Sequence, residues 1–210
     1  MGEMMMLTLY YAKGSSALAS HIFLEEVGAT YDLHEVPIQA GAHKESDFVA
    51  VNPKMRVPAL KTPEGIITEN PAILNYVAAT HPAAGMLPES PFERARIDAF
   101  NAYLCATMHV AFAHKLRGTR WADDAAALKD MAAKVPSNLA DCAKLLEEHL
   151  MVGPWAMGAQ YTSCDAYLAL VPQWLGKAGV DLSLYPKLSA HRDASLARPA
   201  TQRVMDIHGL

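Results

Sequence analysis

The segment from His81 to Pro91, HPAAGMLPESP, holds three prolines and a glycine and separates two stretches of different periodicity. Proline fixes φ and lacks a backbone donor, so such a run suits a linker and not the interior of a helix or strand. Ahead of it, short β-prone runs alternate with helical patterns. Leu7–Tyr11 (LTLYY) reads as a strand ending at Lys13-Gly14-Ser15-Ser16; Leu18, Ile22, Phe23 and Val27 then recur on one helix face before Gly28. Tyr31–Val36 alternates like a half-buried strand, and Val57-Pro58-Ala59-Leu60 is a proline-bounded one. Glu64-Gly65 turns the chain into Ile66-Ile67-Thr68. Asn70 is expected as an N-cap, with Pro71 in the first turn of a helix presenting Ile73, Leu74 and Val77. The order β-α-β, then β-β-α, predicts a small mixed α/β sheet covered by helices.

Beyond the linker the period is helical almost throughout. One long helix is expected from about Glu93 to Arg117. Another runs through Leu139, Cys142, Leu146 and Leu150 to a stop at Gly153-Pro154. Thr162 and Asp165 form a shortened capping box, and Pro186 and Pro199 each open a short helix. The Ala-rich stretch 122–133 reads as helix surface.

Composition excludes several classes. In 210 residues, 51% are hydrophobic and 19% charged, which is incompatible with global disorder. The net charge of −4 argues against nucleic acid as a partner. Residues 1–80 carry five Lys/Arg against nine Asp/Glu, so an anionic ligand there must be held by local donors and not by a broad positive field. No apolar run approaches the ~20 residues of a membrane span. Cys105, Cys142 and Cys164 have no zinc spacing, so no metal is expected; they read as buried packing thiols in a reducing compartment. Glu3 without a basic flank argues against a secretory signal, and Met1-Gly2 lacks the Ser or Thr that myristoylation wants at position 6. A cytoplasmic location is expected.

Three places have the makings of chemistry. Gly14-Ser15-Ser16 joins a strand to a helix, where free N–H groups and the helix dipole suit an anion. Ser16 there is either a hydrogen-bond donor to a ligand or a simple N-cap. Val57-Pro58 puts a proline inside a strand, where it gives up a ladder donor; with a cis peptide bond the main chain before it could turn its N–H and C=O toward a bound peptide. Glu69-Asn70 sits at the head of the next helix. None of these is specific alone.

Their order is. The strand–GSS–helix start, VNPKMRVPAL at 51–60, TENPAILNYV at 68–77, YTSCDAYLAL at 161–170 and YPKL…ARPATQRVM at 185–205 resemble the cytosolic glutathione transferase family over nearly the whole chain. LYYAKGSSALASHI is most similar to the bacterial beta class. The resemblance implies a thioredoxin-like α/β domain at about 5–81, followed by an all-α helical-bundle domain at about 92–210. It implies that Val57 pairs its backbone with the cysteinyl part of glutathione, beside a cis bond to Pro58. Glu69 would face the γ-glutamyl ammonium and Asn70 the carboxylate; His43 and Arg56 would lie near the glycyl end. Solvent-exposed loop positions are the competing reading for His43 and Arg56.

Where beta-class members carry a cysteine, this chain has Ser16. That removes a mixed-disulfide mechanism and leaves a hydroxyl to donate to the glutathione thiolate. A charge-assisted bond of ~1.5–3 kcal/mol lowers a thiol pKa by about one to two units. Tyr11 is the rival donor, or else strand-end packing. Met108–Phe112 matches a beta-class L-H-K-G-F segment, so His109 and Phe112, with Trp174, would face the electrophile; core packing is the alternative. Val110 for the usual lysine and Ala102 for an asparagine imply an apolar pocket. The resemblance thus implies an enzyme that joins glutathione, as co-substrate, to small apolar electrophiles, working as a homodimer. Two alternatives stand beside it. One is a glutathione- or apolar-ligand-binding protein with little catalysis. The other is a glutathione-dependent isomerase of the zeta type, suggested by the adjacent Ser15-Ser16.

Overall fold

The computed structural model describes residues 6–210; Met1-Gly2, Glu3 and the expected domain start at residue 5 lie outside them. The chain separates into two compact units. One takes the described residues up to Ser90 together with Leu196–Leu210, and the other is Pro91–Ser195.

In the first unit a four-stranded sheet has the order β2-β1-β3-β4, built from β1 (Leu7–Tyr11), β2 (Tyr31–Glu35), β3 (Ala59–Thr62) and β4 (Gly65–Thr68). β1 and β2 are parallel, joined by α1 (Ala17–Glu26), as the crossover of a parallel pair requires. β3 runs antiparallel to β1, with Leu9 opposite Leu60, and β4 returns antiparallel to β3 through the Glu64-Gly65 turn. β3 begins at Ala59, after the proline; Val57 and Pro58, expected within the strand, lie outside the ladder. β2 alternates in sequence, yet four of its five residues are exposed, because it is the sheet edge.

α1 departs from the one-sided pattern expected of it. All eight residues from Ala17 to Leu24 are buried, so it is enclosed and not amphipathic. α3 (Asn70–Thr80) contacts one side of it, and α10 (Pro199–His208) another. α1 ends on Glu25 and Glu26, acids at the end where the helix dipole is negative. α10 and its N-cap offset them: Arg198 binds Glu26 through both carboxylate oxygens at 2.6 and 2.5 Å, and Arg203 reaches Glu25 at 2.9 Å. The C-terminal helix, expected with the helical domain, therefore groups with the sheet. α2 (Ser46–Val51) precedes the loop to β3.

The second unit is helical. The long helix expected from Glu93 is α4 (Pro91–Tyr103) and α5 (His109–Arg117), joined by a π-helical turn at Leu104–Met108. α6 (Ala125–Leu145) ends in a second π turn, Leu146–Leu150. α7 (Ser163–Leu168), α8 (Val171–Ala178) and α9 (Pro186–Leu196) complete it. The Thr162–Asp165 capping box forms, and Asp165 does more than cap. Fully buried, it accepts from the N–H of Thr162 and of Ala156, both at 2.7 Å, and meets His191 Nε2 at 3.0 Å. Cys142 and Cys164 are buried, but Cys105, on the π turn, is only half-buried. No helix among the described residues is long and apolar enough to cross a membrane.

Candidate functional site

The strand–helix junction after β1 is a tight turn. Gly14 takes φ +64, the left-handed region that suits glycine. The Ser15 amide donates to the Ala12 oxygen at 3.1 Å, and the Ser15 hydroxyl donates to the same oxygen at 2.7 Å. Ser15 Oγ also accepts the Ala17 amide at 3.3 Å. Ser15 is therefore spent on the turn and on the free amides of α1.

Ser16 is not. It stands at the N-cap position of α1, half-buried, yet its side chain makes no cap hydrogen bond. Its backbone is already helical (φ −65°, ψ −10°), so the hydroxyl cannot swing back to the second or third amide as an extended N-cap would. Of the two sequence readings of Ser16, the simple cap does not occur. Its carbonyl oxygen is held from two sides, by the Ala19 amide at 3.2 Å and by Asn70 Nδ2 at 2.9 Å.

Asn70 is buried at the head of α3, and Glu69, not Asn70, occupies the N-cap position. Both ends of its amide face α1, since Ser20 donates to Asn70 Oδ1 at 2.6 Å. Glu69 adopts φ 76°, ψ 127°, an uncommon conformation for a non-glycine residue, and conformations of this kind collect at functional sites. Its exposed carboxylate pairs with the Lys54 ammonium, which also donates to Thr68 Oγ1 at 2.6 Å.

The loop that brings Lys54 there is organised by Asn52, a buried residue that sequence reading passed over. Asn52 Nδ2 donates to the Arg56 oxygen at 2.6 Å, its Oδ1 accepts the Lys54 amide at 3.2 Å, and its own oxygen accepts the Met55 amide at 2.8 Å. Met55 takes φ 55° within this loop. The Val57-Pro58 bond that follows is cis, and both residues are buried. Arg56 is exposed. His43 is half-buried on the 3-10 turn Ala42–Lys44, and its Nδ1 is a buried atom with no hydrogen-bond partner.

Tyr11 closes β1 with its ring 5.1 Å from that of His208 and 5.9 Å from that of His21. Burial, and then the Glu35 carboxylate, raise its pKa, so it stays a protonated and weakly acidic phenol. His21 on α1 and His208 on α10 are hydrogen bonded at 3.0 Å, and the Gly14 amide reaches His208 Nδ1 at 3.2 Å. No local pattern marked either histidine.

In the second unit, Trp174 is buried, with the half-buried rings of His109 and Phe112 nearly parallel to it. Their centroids lie at 4.8 and 5.9 Å, and their planes at 13° and 19°. The three expected electrophile contacts thus form one aromatic group. The π turn immediately before His109 shifts the helix register there, a device often found near functional sites. Among the described residues, no group of three or more His, Cys, Asp or Glu is arranged to hold a metal.

Residues 5–79 match the model of the glutathione S-transferase N-terminal domain. The chain is 30% identical over 203 residues to a glutathione S-transferase, GST-4.5, of Xanthomonas campestris, covering 96% of this chain and 98% of that one. It is 28% identical to a maleylacetoacetate isomerase of Pseudomonas aeruginosa, covering 90% and 91%. A Sulfitobacter glutathione transferase homologue with bound glutathione superposes with a TM-score of 0.94 at 39% identity, over 98% of this chain and 99% of that one. A bacterial beta-class glutathione S-transferase from Sphingomonas chungbukensis gives 0.79 at 30% identity, over 97% and 99%.

Proposed function

The chain belongs to the glutathione S-transferase family, and from that membership we propose that it joins glutathione to small apolar electrophiles, with Ser16 as the donor to sulfur. Ser16 carries the reading. Its hydroxyl stands at the positive end of α1, free of any capping bond, while its neighbour Ser15 does the capping. A donor placed so favours the thiolate over the thiol, and the dipole of α1 adds to it. The proton leaves to solvent, the sulfur lone pair forms the C–S bond, and the leaving group departs with its own electron pair. Tyr11 packs beside the histidine pair as a secondary contact.

The rest of the peptide has matching partners. The Val57 main chain, outside the ladder, is available to pair with the cysteinyl unit. Glu69 already holds an ammonium, that of Lys54, which is the group a γ-glutamyl end presents. The Asn70 main-chain N–H at the head of α3 serves the neighbouring carboxylate. His43, through its unpartnered Nδ1, and Arg56 serve the glycyl end. His109, Phe112 and Trp174 provide an aromatic surface for the electrophile. Like other members of the family the chain acts as a homodimer, through α3 and α4; light scattering that returns a monomer mass at micromolar concentration contradicts this.

The test is turnover of a chloronitrobenzene substrate against pH, wild type beside Ser16→Ala. Loss of Ser16 raises the pKa of the bound thiol by about one to two units and moves the rate profile to higher pH. Identical profiles remove Ser16 from the mechanism. Tight calorimetric binding of glutathione without turnover of a broad electrophile panel would instead favour a binding protein. Likeness to a maleylacetoacetate isomerase motivates a glutathione-dependent isomerase as a second reading. The engagement of Ser15 within its own turn speaks against the paired-serine version of it.

A further inference from the structure

The proposed transferase chemistry makes no use of His21 and His208, two buried histidines from opposite ends of the sequence. Their hydrogen bonds fix their proton positions. The Gly14 amide donates to His208 Nδ1 at 3.2 Å, so that nitrogen carries no proton. The His208 proton is then on Nε2 and is donated to His21 Nδ1 at 3.0 Å. His21 carries its own proton on Nε2, which has no hydrogen-bond partner; the His21 and Tyr31 ring centroids lie 5.6 Å apart with their planes at 86°. Only one neutral tautomer of each ring satisfies this chain of donors. A proton added to His208 Nδ1 would abolish the Gly14 bond; one added to His21 Nδ1 would set two donors against each other.

From this chain we infer that His208 is a positioning residue for Ser16: it pins the Gly14 amide and so sets the turn that aims the Ser16 hydroxyl. The inference rests on the reading of Ser16 given above. The turn is short and held at both ends. His208 takes the amide of Gly14, two residues before Ser16, and Asn70 takes the Ser16 oxygen. Between them Ser15 closes the turn onto Ala12. Gly14 at φ +64 is the adjustable link, and the His208 bond is the one that holds its own amide. Burial and the neighbouring basic groups favour neutrality, with the Glu25 carboxylate alone opposing it at His21. Tyr11 lies against His208 from β1, and the Lys13 ammonium disfavours a second cation there. Tyr31 and Glu25 stand next to His21, with the Glu25 carboxylate engaged by the Tyr31 hydroxyl and by Arg203. Burial is the largest cause holding both rings below the usual histidine range.

Two substitutions separate positioning from packing. His208→Asn places an amide oxygen near the site of Nδ1, keeping an acceptor for Gly14 and losing His21. His208→Gln reaches toward His21 and loses the Gly14 acceptor. The readouts are the pKa of bound glutathione, from thiolate ultraviolet absorbance, and hydrogen exchange of the Gly14 amide in ligand-free protein. Expected for His208→Gln is faster exchange and about threefold to tenfold less thiolate at neutral pH. His208→Asn should stay near wild type in both, whatever its melting temperature. Equal shifts in the two variants, or none in either, overturn the inference. Should both variants fail to fold, scalar coupling between the Gly14 and His208 Nδ1 nitrogens in labelled wild type decides it, since its absence rules the pin out. Wild type that shows the coupling but does not bind glutathione leaves the pin in place and removes its catalytic purpose.

Discussion

Asn70 clasps Ser16: its Nδ2 donates to the Ser16 oxygen at 2.9 Å while its Oδ1 receives the Ser20 hydroxyl at 2.6 Å. The head of α3 is thereby fastened to the head of α1. Asn70→Ala strands the buried Ser20 hydroxyl and is expected to cost about 1–3 kcal/mol. Urea unfolding checks this, with a lower midpoint and an unchanged slope. A midpoint equal to wild type would mean that the clasp contributes nothing to stability.

Ser15 and Ser16 are adjacent but divide the work. Ser15→Ala removes a cap and a turn bond and should lower stability by about 1 kcal/mol. Ser16→Ala removes no internal side-chain bond and should stay within about 0.5 kcal/mol of wild type. Thermal melts of the two variants side by side provide the comparison. The reverse order of stabilities would place the cap on Ser16.

Acid should weaken the fold through the histidine pair. Burial first, then the cost of placing a second positive charge beside His208 (for His21) or beside the Lys13 ammonium (for His208), lower each pKa from 6.5 to about 4, with Glu25 opposing at His21. In the unfolded chain both titrate near 6.5, so between about pH 6.5 and 4 the unfolded state binds more protons. Stability is therefore full above the unfolded value, declines as pH falls through that window, and levels off below it. Urea titrations across the window in wild type and His208→Asn measure the effect. The variant should show the shallower decline; equal slopes would assign the acid sensitivity to other groups.

Asp165 is buried with donors on every side: the amides of Ala156 and Thr162, the Thr162 hydroxyl at 3.2 Å and His191. Asp165→Ala leaves them facing an apolar space. A loss of about 3–5 kcal/mol is expected, enough to consume much of a typical domain's stability. Soluble yield and melting temperature report it. A variant that melts like wild type would show that the capping network is dispensable.

Met55 should give the opposite sign. At φ 55° an L-side chain costs about 1–2 kcal/mol, while glycine there costs about 0.5–1 in chain entropy. Its side chain is exposed and gives up little packing. Met55→Gly is therefore expected to stabilise by about 0.5–1 kcal/mol, read from the denaturation midpoint.

Local features were the ones the sequence made legible. Gly14-Ser15-Ser16 closes a β-prone run and opens a helical one, so the junction could be located. The Glu64-Gly65 hairpin, the Thr162 cap and the helices at Pro186 and Pro199 follow the same logic of short-range punctuation. His43 and Arg56, and the roles of Val57 and Glu69, are drawn only through resemblance, because their chemistry is carried by main chain and loop geometry that composition does not encode. Ser16 and Asn70 were found but not understood. Whether a serine caps its own helix depends on its φ and ψ, and the Asn70 amide turns inward only because α1 passes behind it. His208 was invisible for a simpler reason: it lies 194 residues from Gly14, and no window spans that distance. α1 misled for the same cause. Its second apolar face is covered by a helix written at the far end of the chain.

That late helix fixes an order of events during synthesis. When Ser90 has left the ribosome all four strands exist, but Glu25, Glu26 and the Gly14 amide still await Arg203, Arg198 and His208. The sheet half must wait, incompletely sealed, for more than a hundred further residues. A fragment cut at Ser90 would keep the residues proposed to hold glutathione yet expose one flank of its central helix. Excising that half as a free-standing module would therefore require grafting Leu196–Leu210 back onto it.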